Sequence, residues 1–316
     1  MSRGTAVKMA RAIPEAGQSL PATNVAESFT PAVAVASAHT FFRACWYCAN
    51  CLFALSVLLV LYSAVWEYST RRYLKGFSDA IVPESSSAQE KVEAIMNWIS
   101  HGPARQEAGP SISSPDRNPT DTLNYASLLR VCGSATNAFI NLADSAGLSA
   151  RRLLLLDSRR LTKHVVGEVL VDGRWIVVDP AFRTIFSSPD GRLLTREDLT
   201  DPAVFAAATR GIPGYDPSYT FDRTSHIRIA RLWLIGRPMR RVLDQLVPGW
   251  DDSAVVSLLL ERESLATLLF AFLLVGVLGF VRALLRRYGE RRLGVRPVRI
   301  RQQFLRAVHA FVDTAG

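Results

Sequence analysis

Apolar and polar positions fall into three patterns along this chain. The first pattern is no period at all. From Ala44 to Trp66 there is not one charged residue, and from Ser264 to Val281 there is none either, until Arg282 closes the run. A bilayer core needs ~20 mostly apolar residues in a helix, so both segments predict membrane-spanning helices, 44–66 and 264–281. Trp46 and Tyr47 at one end of the first run, with Trp66 and Tyr68 at the other, are the amphipathic rings expected at two interfaces. The second pattern is helical. Val92, Ile95, Met96 and Ile99 recur at helical spacing over Gln89–Ser100, behind a run of three serines able to cap. Phe139, Leu142, Ala143 and Ala146 do the same within Val131–Ala146, and Gly147 suits the residue after a helix end. The third pattern is extended. Arg152–Leu156, Val165–Val171 and Trp175–Val178 read as strands, the last two joined by Asp172-Gly173, a pair suited to a tight hairpin turn.

Between these elements the pattern weakens. Residues 1–43 predict an irregular tail, and the Gly, Pro and Ser of 102–120 a surface loop. Residues 195–210 predict a helix and 211–225 a loop. Ile227–Ile235 is apolar enough for either a strand or a helix. Phe304, Val308 and Phe311 suggest a short amphipathic helix in the tail. There is no internal repeat.

Charge changes the picture. The formal net charge is +9, yet Glu67–Ser264 holds 24 Lys plus Arg against 24 Asp plus Glu. The excess is therefore at the ends, which points to a membrane protein before a nucleic-acid binder, and no zinc finger or basic recognition helix supports nucleic acid. Eight arginines follow the second run between Arg282 and Arg301, against Arg262 shortly before it. The positive-inside rule then puts both termini in the cytoplasm and residues 67–263 outside, with the basic tail against anionic lipid. Arg71, Arg72 and Lys75 alone would argue the reverse, but they are outnumbered. The first run lies too far along the chain, and is too long, for a cleaved signal peptide.

Cysteine placement adds the chemistry. Cys45, Cys48 and Cys51 fall every third residue at the mouth of the first run, a spacing better suited to packing, lipid contact or acylation than to a metal. Cys132 stands alone between the two runs, at the start of a helix, where backbone N–H groups favour a thiolate. The same groups, Gly133 included, can donate to an oxyanion. A thiol nucleophile needs a base and the base an orienting partner. His164 and Asp179 stand eight and six residues from the hairpin turn, so antiparallel pairing brings them to one end of it. His226 is a weaker rival. No cofactor is called for, and no metal or calcium loop is present in the sequence.

These residues resemble a family. Cys132-Gly133-Ser134-Ala135, then Asn137-Ala138-Phe139 and Leu142, then Ala146-Gly147-Leu148-Ser149-Ala150-Arg151 are similar to the core motif of the transglutaminase-like superfamily. His164 with Glu168-Val169, Asp172-Gly173-Arg174-Trp175 and Val178-Asp179-Pro180 is similar to its His and Asp strands, and Met96-Asn97-Trp98-Ile99 to the helix before them. The similarity covers residues 87–186. It implies an α+β, papain-like core, a Cys-bearing helix on an antiparallel sheet, here held between two membrane helices. It implies acyl transfer through a thioester on Cys132, with His164 moving the proton and Asp179 orienting it. The expected substrate is a peptide or protein amide at the cell envelope, and the acceptor water or an amine. The architecture suggests a bacterial inner membrane with the domain on the periplasmic side. Family members often carry an aromatic residue two positions after the His, where this chain has Val166. Asn124 and Tyr125 are the nearest candidates for a further oxyanion donor. A binding or scaffold protein on the same fold, without turnover, is the alternative.

Overall fold

The computed structural model describes residues 30–101, 119, 123, 131–227 and 236–294. Two long helices bracket the core: α1 over Thr30–Ile81, 52 residues, and a last helix over Glu263–Arg292, 30 residues. Both are long and apolar enough to cross a membrane. Each overruns its apolar run. Residues 30–43, expected to be irregular, are helical, and α1 continues past Trp66 to Ile81. The continuation is amphipathic: Leu74 is fully buried, with Phe77 and Ile81 against the core. The chain divides into two units, one of residues 1–51 with 281–316 and one of 52–280. In the first, Phe42 packs on Tyr288. The second holds the core.

Helix α2 (Ala88–Ser100) follows, and Ser87 caps it. The Ser87 hydroxyl accepts the Glu90 N–H, and the Glu90 carboxylate accepts the Ser87 N–H at 2.7 Å, an arrangement that contributes about 1 kcal/mol. Its buried face is the one its spacing predicts, Val92, Ile95, Met96 and Ile99. Helix α3 (Cys132–Ser145) is buried from Gly133 to Ala143, so it runs through the core rather than along its surface. It ends where expected: Gly147 takes φ +81°, and Leu148 N–H returns to Ala143 O at 2.8 Å.

The sheet contains β1 (Ala150–Leu156), β2 (Thr162–Val171), β3 (Arg174–Asp179), β4 (Thr184–Ile185) and β5 (Thr224–Ser225). Their order is β4-β3-β2-β1-β5, every pairing antiparallel. Asp172 and Gly173 both have positive φ, 49° and 78°, as the turn between β2 and β3 requires. Alternation along the strands feeds two cores. One face, with Val169, Val171, Ile176 and Val178, packs on α2 and α3. Gly167 lies on this face, and a Cβ there would meet Val178 at 3.1 Å and Phe139 at 3.3 Å, so α3 approaches closely. The other face, with Leu153, Leu155, Val166 and Val177, is covered by Phe186, Leu194, Leu199, Phe205 and Phe221. Where a helix over 195–210 was expected, a 3-10 turn (Asp198–Thr200) leads into a shorter α4 (Pro202–Thr209), capped by Asp201. Pro202 and the Asp201 cap set the start at 202.

The chain then returns through α5 (Gly236–Leu246), α6 (Ala254–Glu261) and α7 (Glu263–Arg292). Helix α6 packs on α3 and β1 and brings a buried polar cluster. Asn137 donates to the Glu261 carbonyl at 2.6 Å, and Arg152 Nη2 meets the Glu261 carboxylate at 2.5 Å. Arg262, 2% exposed, donates through Nε to Asn141 Oδ1 at 3.0 Å and pairs with Asp144 at 2.8 Å and Glu67 at 3.5 Å. Glu67 also accepts from Ser264 at 2.7 Å. Glu67 and Arg262, which flank the two apolar runs on their inner sides in the sequence, are thus paired inside the protein, against the helix that carries Cys132.

Candidate active site

Cys132 is the first residue of α3 and is half-buried. Val131 before it is extended, φ −140° and ψ 153°, so the chain turns sharply into the helix there. The first helical bonds are made by Ser134 and Ala135, both to Val131 O. The Gly133 N–H precedes them and belongs to the group of helix-start donors that intrahelical bonding leaves over. Asn124 and Tyr125, the other oxyanion candidates, lie outside the described residues.

His164 stands near the start of β2, opposite Leu155 of β1. The β2–β3 ladder pairs Gly167 with Val178, which sets Asp179 beside Val166 and diagonal to His164 on the same face. The diagonal is short enough for contact: His164 Nε2 and Asp179 Oδ2 are 2.7 Å apart. Asp179 is itself fixed. Its Oδ1 accepts the N–H groups of Ala181 and Phe182, each at 3.1 Å, leaving Oδ2 for the imidazole. The hairpin therefore delivers the pair the sequence spacing predicts.

The remaining ring nitrogen, Nδ1, is buried without a fully formed hydrogen bond, and the Cys132 thiol is the next group acting on the ring. Burial pulls the His164 pKa down. The charge and hydrogen bond of Asp179 outweigh it, and Cys132 adds to them, so the imidazole titrates at about 9. The structure thus brings together Cys132, His164 and Asp179.

Three aromatic residues close over the ring, and the sequence pattern does not reveal them. Tyr219 stacks on the imidazole at 4.5 Å and 4°, and Phe182 and Tyr215 meet it edge-on at 5.5 and 6.1 Å. Burial, then the negative charge of Asp179, pushes the Tyr215 hydroxyl well above its ordinary range. Tyr215 and Tyr219 come from a stretch with no helical or strand period, and their only sequence signal is the presence of two tyrosines in a Gly- and Pro-rich loop. Val166, where relatives often have an aromatic residue, is fully buried in the core beneath them.

His226 goes elsewhere. Its Nε2 meets Glu168 at 2.7 Å and its Nδ1 meets Asp252 at 2.6 Å. Glu168 also holds Arg151, whose guanidinium lies 4.0 Å from the Trp175 ring. This is a strut that ties β1 and β2 to the residue after β5. Cys45, Cys48 and Cys51 lie on α1 and form no disulfide.

A helix-start thiol near an imidazole that is oriented by a carboxylate, on an antiparallel sheet, defines a cysteine-based acyl-transfer fold. Compared with known families, residues 75–180 match the transglutaminase-like superfamily, and the chain carries a domain of that superfamily. The match begins in the last turns of α1 and ends one residue after Asp179. No curated protein and no solved structure matches the chain.

Proposed function

We propose that this chain is a membrane-anchored cysteine acyltransferase or amidase in which Cys132, His164 and Asp179 carry the reaction. The observation that supports it most is the 2.7 Å contact between His164 Nε2 and Asp179, which fixes the ring with Nδ1 available to the thiol. With His164 titrating at about 9, the ring is positively charged at neutral pH, and an adjacent imidazolium favours the thiolate. The sulfur attacks the carbonyl carbon of an amide, and the carbonyl electrons move to oxygen. N–H groups at the start of α3, Gly133 among them, receive that oxyanion. As the C–N bond breaks, His164 gives its proton to the leaving amine, and a thioester remains on Cys132. Water or a second amine then attacks the thioester, giving up a proton to His164 and releasing the sulfur.

In this reading α1 and α7 cross a bacterial inner membrane, with both termini in the cytoplasm and the domain on the envelope side. A peptide or protein of the envelope is the substrate.

One observation favours a second reading, a binding module without turnover: the imidazole is only 1% exposed, beneath Tyr219. Thiol labelling separates the two. In the full-length protein, with modification read peptide by peptide, a thiol-directed alkylating probe carrying a carboxamide should modify Cys132 rapidly at pH 7. His164→Ala should slow it roughly tenfold, as the imidazolium that favours the thiolate is lost. A folded, reduced wild-type chain whose Cys132 never labels would favour the binding module.

A further inference from the structure

The segment leading from the sheet to α7 carries a face that the core does not use. Helix α5 reads GRPMRRVLDQL. Its apolar residues fall at 239, 242, 243 and 246, continued by Val247, which is the single stripe of an amphipathic helix. Such a stripe ordinarily faces a core. Here Leu246 is 72% exposed, Val247 54% and Val242 51%. None of the three belongs to either apolar core. Arginine occupies positions 237, 240 and 241, and Asp244 is the sole acidic residue of the helix. The Asp244 carboxylate accepts from Trp250 Nε1 at 2.9 Å, which folds the chain back after the helix and toward α6.

An apolar stripe on a helix with three arginines and one aspartate is suited to the boundary between acyl chains and anionic headgroups. On such a surface the apolar side chains enter the hydrocarbon, and the helix's net positive charge draws it to the phosphates. The chain itself brings such a surface near, because α7 begins at Glu263, soon after this helix. We infer that α5 lies along the surface of an anionic bilayer, on the side of the membrane that holds the domain. This rests on the reading of α1 and α7 as spans. Two signals then hold the domain to the membrane: the spans anchor it, and α5 fixes one of its sides to the headgroups.

The test is backbone hydrogen exchange over residues 241–247 of the full-length protein, one copy per nanodisc. Discs of phosphatidylcholine with phosphatidylglycerol should slow exchange about tenfold relative to phosphatidylcholine alone. Val242→Glu with Leu246→Glu, both at exposed positions, should abolish that protection, and Arg241→Glu should reduce it. Equal exchange in the two kinds of disc, or protection that survives the double substitution, overturns the assignment. Protection that appears only with two copies per disc overturns it in favour of a contact between copies. Resistance to alkaline extraction reads the spans separately. A chain that stays in the membrane while α5 exchanges freely removes α5 from the bilayer and leaves the spans standing.

Discussion

At the scale of single residues, Asp179 accounts for most of the electrostatics. It is fully buried, braced by two backbone N–H groups, and gives its free oxygen to His164. The His164 pKa rises from 6.5 to about 9 because that carboxylate overcomes burial. A raised folded-state pKa stabilises the fold fully below pH 6.5, and the contribution disappears as pH rises through 9. It amounts to about 3 kcal/mol at 1.36 kcal/mol per unit. Chemical denaturation of the wild type should therefore show stability falling between pH 6.5 and 9, and Asp179→Asn should flatten that limb. The Asn side chain can keep its carbonyl on the Ala181 and Phe182 N–H groups, so the variant tests charge more than shape. A profile unchanged in Asp179→Asn would remove Asp179 as the source of the shift.

At the scale of elements, α3 is held by polar groups as much as by apolar ones. Asn137 and Asn141 sit on a helix whose buried surface is mostly Ala, Phe, Ile and Leu with Gly133, Ser134 and Thr136, and both are fully buried against Glu261 and Arg262. Arg262→Met would leave Glu67 without its arginine from α6–α7 and Asn141 Oδ1 without its donor. Removing one member of a buried charged cluster costs ~3–5 kcal/mol, so the variant should unfold at markedly lower temperature in detergent. A shift within error would mean water replaces the guanidinium. This cluster also marks where the sequence stops being legible. Cys132, His164, Asp179 and the Asp172-Gly173 turn are local signals, set by spacing within one hairpin and one helix start, and they can be read directly. Glu261 and Arg262 read as a solvated flank of an apolar run, because their partners lie more than a hundred residues away in the chain. Tyr215 and Tyr219 are hidden for a related reason: a ring contact with His164, some fifty residues away, leaves no period in the sequence. The end of α1 is a different case. Charges at Arg71, Arg72 and Lys75 suggest the close of an element, yet Leu74, Phe77 and Ile81 continue one helical face beneath them.

At the scale of the whole molecule, that continuation decides what can be cut away. A soluble fragment of residues 67–264 retains Leu74, Phe77 and Ile81 in the core and Glu67 beside Arg262. A fragment beginning at 84 loses all four. Burying a large apolar side chain contributes roughly 1.5–3 kcal/mol, so the shorter fragment should lack a cooperative unfolding transition while the longer one keeps it. Equal cooperativity in both would mean that α1 is dispensable to the domain. The same feature has a mechanical meaning. Residues 67–81 extend ~22 Å at 1.5 Å per residue, and they continue the helix that carries residues 52–66. On the proposed topology the candidate site does not sweep a volume on a tether. It works at a set height above the lipid, so distance from the membrane becomes a criterion for choosing substrates, alongside their chemistry.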